Sequence, residues 1–395
     1  MLRLFQAALA EARELMVELR QTDWETFVSG LISHTPLSRA WKDINKVKGK
    51  NAAEISYPNP LHRANELVDA WATTSSFDSL TLPTQNELNN RYTDRSRLLD
   101  FMLHQEDDCD MLFTEYELDS ALHKGKDISP GEDGVTYGIL HMLLLVPGNP
   151  LLQLYNMSYI TGELPKSWTN SLIIPIPKPN QQSAFRIISL TSCLYKCLER
   201  MVLNRLLYRI SNMLSPQIYG FKHGKSVRHC ITTFLTLHTD RSYTTFLDLK
   251  SAFDTANPHV ILSELAKMNV GGWLLRWIRG YLSNRKLSAL FQGHRSVTRD
   301  FELGTPQGRV LSPTLFNVLI NALLNSATRS PSEHIISYAD DILIHTNGYT
   351  NTQNVLNSVL HTCQELGLVI SVRKTKILNR RPPQTGWGCS QDAVA

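Results

Sequence analysis

Ser337-Tyr338-Ala339-Asp340-Asp341-Ile342-Leu343-Ile344 places two adjacent acids inside an otherwise apolar run. From His334 to Ile344 the pattern reads as strand, tight turn, strand, with both aspartates at the turn. Adjacent carboxylates repel, and setting them in a hydrophobic ladder costs stability. Two readings account for them: ligands for a divalent cation, or a plain polar turn. A second acidic stretch, FLDLKSAFD, runs from Phe246 to Asp254. Asp248 falls near the end of a strand that reads from Tyr243 to Leu249. A strand-end carboxylate facing a hairpin pair can hold two Mg²⁺ ions roughly 3.5–4 Å apart. Mg²⁺ suits such a set, because it takes few carboxylates and completes its shell with water and phosphate oxygens. Asp254 follows Phe253 and precedes a capped helix, so it reads as a local loop ligand rather than a metal ligand.

Around these stretches strands alternate with helices, which makes the class α+β. Ser192 to Arg209 reads as a helix with Leu194, Leu198, Val202 and Leu206 on one stripe. Cys193 and Cys197, four apart, share a packed face of it. Thr114-Glu-Tyr-Glu117 has the form of a capping box, opening a helix that ends near Lys124 before Gly125. Asn149-Pro150 pairs an N-cap with a proline at the first helical position, and that helix should reach Ile160. Asn257-Pro258 and Ser312-Pro313 open two more helices, and Asn354 to Leu366 forms the last. Ser129 to Gly134 is a loop by its turn chemistry. Ser171 to Lys178 is β-rich but interrupted by Pro175 and Pro177, so it reads as the edge strand of a hairpin. Residues 1–109 read as a mostly helical N-terminal region, with a stripe of Leu2, Phe5, Leu9, Leu15 and Leu19 followed by Trp24, Trp41 and Trp71. The lysines between Lys42 and Lys50 suit either a nucleic-acid-facing arm or a solvated surface.

Apolar residues make up 42% of the 395, enough to bury a sizeable core. The formal charge of +4 is only mildly basic and selects no partner by itself. Cys109, Cys193, Cys197, Cys230, Cys363 and Cys389 form no CxxC pair and no zinc-spaced cluster, so they read as reduced thiols of an intracellular protein. The first twenty residues mix charges with apolar residues at helical spacing, unlike a secretory signal. The longest apolar run, Ile139 to Val146, is too short to span a bilayer, and no membrane partner is expected.

In order along the chain come IPIPKP (Ile174–Pro179), FRIISLTSCLYKCLERMVLNRL (Phe185–Leu206), YGFKHGKSVRHCI (Tyr219–Ile231), FLDLKSAFD, GTPQGRVLSPTLFN (Gly304–Asn317), YADD and LGLVISVRKTKIL (Leu366–Leu378). This succession resembles the fingers and palm motifs of reverse transcriptases, and among them those of non-LTR, LINE-type, jockey-like retrotransposons. The resemblance covers about residues 165 to 378, with 110 to 165 similar to the extended fingers entry of that group. It implies a right-hand polymerase with an antiparallel palm sheet, divided as a helical N-terminal linker (1–109), fingers and palm (110–379) and a disordered tail (380–395). It also implies a truncated copy without endonuclease or thumb.

The roles that the resemblance implies are these. Asp248 and Asp340 would be the main metal ligands with Asp341 beside them, and the Leu249 carbonyl would add a contact. Two Mg²⁺ ions so held would activate a primer 3′-hydroxyl and stabilise the leaving pyrophosphate. Phe253 would block a ribose 2′-hydroxyl, or else pack in the core. Lys178 and Arg186 would hold the triphosphate, Gln307 would sit by the incoming nucleotide and template base, and Lys374 would act near the leaving group. Lys222, Lys225 and Arg228 are spaced to meet a template backbone or to solvate a face. Ile187 stands where a proline usually follows the fingers arginine, the link from Lys178 to Arg186 is several residues short, and Arg309 occupies a position that is often small. The partners implied are an RNA template, a DNA primer and dNTPs, in the nucleus or a cytoplasmic ribonucleoprotein. A silent copy that only grips RNA, or a maturase-like RNA-folding protein, are the alternatives.

Overall fold

The computed structural model describes residues 57–125, 130–178, 181–237, 242–327 and 333–379, apart from the side chains of 178, 181–184 and 186. The Leu2–Leu19 stripe, Trp24, Trp41, the lysines of Lys42–Lys50, and the tail with Cys389 lie outside these residues. The strands are β1 (Asn170–Lys178), β2 (Gln181–Leu190), β3 (Ser242–Asp248), β4 (Arg285–Phe291), β5 (His294–Arg295), β6 (Arg299–Phe301), β7 (His334–Tyr338), β8 (Asp341–Asn347) and β9 (Lys376–Asn379). They form two sheets among helices, a mixed α+β architecture. One sheet has the order β2-β1-β4-β5 with β6 also on β4, and the other is β7-β8-β3-β9. The second is antiparallel throughout.

β1 and β2 close as an antiparallel hairpin despite the short link, with Ile176 opposite Arg186 and a register shift at Pro177/Lys178. The edge assignment for β1 needs correction, because Asn170–Ile173 also pairs in parallel with β4. The prolines explain how both can hold. Pro175 and Pro177 lie beyond the segment paired with β4, and being two apart they direct their missing N–H to the same side. Only the first half of the strand is therefore flanked on both sides.

The helices begin where their caps dictate. Thr114 and Glu117 complete a capping box for Glu115–His123. The Asn149 side chain accepts from the Leu152 N–H at the start of Pro150–Thr161, which ends at Gly162 with φ +71°. The Asn257 side chain accepts from His259 and Val260 ahead of Pro258–Lys267. Each such cap contributes about 1 kcal/mol. In Cys193–Ile210, Leu198, Val202 and Leu206 are buried, as are both cysteines. The helices Pro60–Thr74, Leu82–Asn90 and Tyr92–His104 pack on β4, on Tyr349–Leu366 and on Pro258–Lys267 respectively. These helices belong to a compact unit that begins at Asn59. Among the described residues no helix is long and apolar enough to cross a membrane.

The core holds a charge. Arg309 and Glu199 are 4% and 0% exposed, with nitrogen and oxygen 3.6 Å apart. Arg309 Nη2 donates to the Trp168 carbonyl at 2.9 Å and to Ser171 Oγ at 2.6 Å. Its guanidinium lies 4.7 Å from the Tyr195 ring centre and 5.7 Å from that of Tyr281. Glu199 Oε2 accepts the N–H groups of Val310 and Leu311 at 2.8 and 3.3 Å. Burial pushes the Glu199 carboxyl upward against the pull of Arg309 and those N–H groups. So the pair gains little over an apolar one, but losing one member strands the other. This network explains how a large residue fits at 309, and it fastens the Pro306–Leu311 loop to the Cys193–Ile210 helix and to β1. Replacing Glu199 by Ala should cost about 3–5 kcal/mol, measured by urea unfolding, whereas a loss under about 1 kcal/mol would mean that the network is not what holds this loop.

Candidate active site

Antiparallel pairing of β3 with β8 ends at Asp248 opposite Asp341, and β7 pairs with β8 through Tyr338 opposite Asp341. Ala339 and Asp340 are then the two residues of a tight turn, with Ala339 at φ +56°. A left-handed non-glycine residue needs outside support. The segment before the turn supplies it: Tyr219 N–H donates to the Ser337 carbonyl at 2.9 Å and Ser337 N–H to that of Gln217 at 3.1 Å. Gly220 then lies so close that a Cβ there would overlap the Ala339 nitrogen. The buried Asn317 holds Gly220 by donating Nδ2 to its carbonyl at 3.0 Å. Gly220 and Asn317 lie within the quoted motifs, yet neither shows its role there, because what they support is distant along the chain.

Asp248 and Asp340 are half-buried, and Asp341 is exposed. Desolvation, then Asp340 and Asp248, push the Asp341 carboxyl upward, while Lys374 pulls it down. Lys374 ends a single turn of 3₁₀ helix, Val372–Lys374, and its Nζ reaches Asp248 Oδ1 and Oδ2 at 3.1 and 3.0 Å. The Asp248 carbonyl accepts from Ser371 N–H at 2.8 Å, and Leu249 bridges to Ile370. So Lys374, expected near a leaving group, rests on a carboxylate. Among the described residues no three His, Cys, Asp or Glu side chains converge as a ready-made cation cage. The donor chemistry still fits Mg²⁺, which needs only one or two carboxylates beside substrate oxygens.

Phe253 both packs and lines a surface. Its ring stacks on Phe316 at 4.5 Å and meets Phe221 edge-on at 6.0 Å, and it lines a cavity with Gln307, Ile187 and Ser189. Gln307 Nε2 donates to Asp254 Oδ1 at 3.0 Å, which ties Asp254 to the loop that carries Gln307. Lys178 and Arg186 sit on the β1–β2 hairpin, and their side chains are outside the described set. Lys222 turns inward, donating to the Leu214 and Ser215 carbonyls at 3.2 Å, and Lys225 covers the Tyr219 ring at 4.7 Å. Neither contact points to a template backbone.

Residues 176–388 match a family model described as reverse transcriptase (RNA-dependent DNA polymerase). The RNA-directed DNA polymerase from mobile element jockey of Drosophila funebris is 33% identical over 249 residues, covering 58% of this chain and 26% of that protein. The probable RNA-directed DNA polymerase from transposon BS of Drosophila melanogaster is 28% identical over 271 residues, 62% of this chain and 30% of its own length. A retrovirus-related Pol polyprotein from type-1 retrotransposable element R2 of Popillia japonica is 26% identical over 277 residues, 66% of this chain and 38% of that one. This chain therefore spans well under half the length of these relatives.

The desolvation and like-charge strain at Asp341 have a consequence for stability. An acid whose folded pKa is raised disfavours folding once it ionises, so its cost appears as pH rises through the aspartate range and persists above it. Without added divalent cation, Asp341→Asn should unfold at a higher temperature than the parent at pH 7, with the gap closing near pH 3. A lower midpoint at pH 7 would show that the carboxylate stabilises the turn.

Proposed function

The chain belongs to the reverse transcriptase family, and from that premise we propose that it is an RNA-directed DNA polymerase of non-LTR type. It would extend a DNA primer on an RNA template by adding dNTPs. The observation that carries this reading is the register that sets Asp248 opposite Asp341 at the sheet end, with Asp340 directly beside Asp341 in the turn. On this reading the β7-β8-β3-β9 sheet is the palm, and the β1–β2 hairpin belongs to the fingers.

Asp248, Asp340 and Asp341, with the Leu249 carbonyl, would hold two Mg²⁺ ions. Such ions, when bound, make a primer 3′-hydroxyl nucleophilic and offset the charge of the departing pyrophosphate. The protein's own groups do the rest. Lys374 balances the acids before substrate arrives, and its exposed four-carbon stem lets Nζ leave Asp248 for a phosphate oxygen. The Phe253 ring, fixed by Phe316, would fill the space that a ribose 2′-hydroxyl needs. Lys178 and Arg186 would meet the triphosphate from the hairpin.

Asp248→Asn and Asp340→Asn should each abolish nucleotide addition in a primer-extension assay while keeping the parent's circular-dichroism spectrum. Addition at the parent rate by either variant would remove these residues from the site. Phe253→Val should raise the ratio of ribo- to deoxynucleotide incorporation by about tenfold or more, the range that one pocket contact supplies. An unchanged ratio in an active variant would leave Phe253 a packing residue only.

A further inference from the structure

We propose that Asp254 is a positioning residue that fixes the side-chain amide of Gln307, and through it the recognition of an incoming deoxynucleoside triphosphate. The inference rests on the polymerase reading above. Asp254 directly follows Phe253, and two backbone bonds strap this turn to the loop carrying Gln307. Thr305 N–H donates to the Phe253 carbonyl and Gly304 N–H to that of Ala256, both at 2.7 Å. Only glycine allows so close an approach at 304, where φ is +92° and a Cβ would lie 2.7 Å from the Asp254 carbonyl oxygen. On its other side the loop is tied to β2, since Ser189 N–H donates to the Gln307 carbonyl at 3.2 Å. Ser312 Oγ donates to the Pro306 carbonyl at 2.7 Å. The backbone of Gln307 is thus held from both sides, leaving its side-chain torsions to be set.

The Asp254 carboxylate sets them. A carboxylate only accepts, so the group that faces it must be the amide nitrogen, and Gln307 Nε2 lies 3.0 Å from Asp254 Oδ1. Among the described residues the Gln307 side-chain carbonyl oxygen and second N–H have no other partner, so they are left for a ligand, with a polarity the amide cannot reverse while Asp254 is present. Gln307, Asp254 and Phe253 line one cavity with Thr305. Thr305 Oγ1 is buried there without a hydrogen-bond partner among the described residues. The cavity therefore places the fixed amide beside the ring that would test the sugar.

The test is a double-mutant cycle on single-nucleotide addition to a DNA primer on an RNA template, using Asp254→Asn, Gln307→Ala and both together. Asn is close in shape but can offer an acceptor or a donor, so the amide loses its fixed sense. Each single variant should raise the KM for dNTP about tenfold, the scale of one hydrogen bond to a charged group, with a smaller change in kcat. The double variant should be no worse than Gln307→Ala alone, Asp254→Glu should recover part of the loss, and unfolding midpoints should stay at the parent value. Losses that multiply in the double variant would overturn the proposal. So would an Asp254→Asn that lowers kcat and the unfolding midpoint while KM stays put. If the parent adds no nucleotide, the polymerase reading fails instead. The cycle is then read by titration with fluorescently labelled dTTP, where non-additive weakening upholds the positioning role and equal binding by all four proteins overturns it.

Discussion

The pairing of Asp248 with Asp341 across β3 and β8 is the constraint on which the rest of the site depends. Side chains alternate along a strand, so a slip of one residue would turn every side chain of β3 to the other face. The register is secured by what lies behind the acids. Leu247, Ile342 and Ile344 are buried, and so are Thr244, Thr245 and His345. Thr244 and His345 also hydrogen-bond across the pair at 3.1 Å. The apolar ladder thus carries the cost of bringing like charges to its end, and Lys374 offsets part of it.

A sheet end with three acids must also be held in place from outside. The Ser312–Ala327 helix does much of this through Asn317, which fixes Gly220 under the Ala339 turn. The loop that leads into that helix is anchored by Glu199 and Arg309, and the same loop carries Gln307. One buried ion pair therefore links β1, the Cys193–Ile210 helix and the loop that carries Gln307. This economy makes Glu199 a determinant of geometry well away from the acids, although it touches none of them.

Much of this was legible in the sequence, and the reasons are local. Caps such as Thr114/Glu117 and Asn257/Pro258 announce themselves within four residues, and the helices start where those signals put them. The adjacent acids in an apolar run, and a third at a strand end, stood out in the sequence as a candidate cluster, and the β3–β8 register brings them together. What was not legible involves long-range partners. The parallel pairing of β1 with β4 joins strands more than a hundred residues apart, and the prolines alone pointed to an edge. Arg309 looked out of place because its partners, Glu199, Trp168 and Ser171, lie more than a hundred residues upstream. The contact of Lys374 with Asp248 was equally hidden, since a motif names a residue but not what it touches.

The central claim is that these three acids serve template-directed DNA synthesis. Its most direct test is extension of an oligo(dT) primer on poly(rA) by this protein, with Mg²⁺ titrated from zero. dTMP should be added only when Mg²⁺ is present, and dATP should not be used in its place. Extension that ignores Mg²⁺ or the template base, or no extension at any Mg²⁺ level by a protein that is folded, would contradict it.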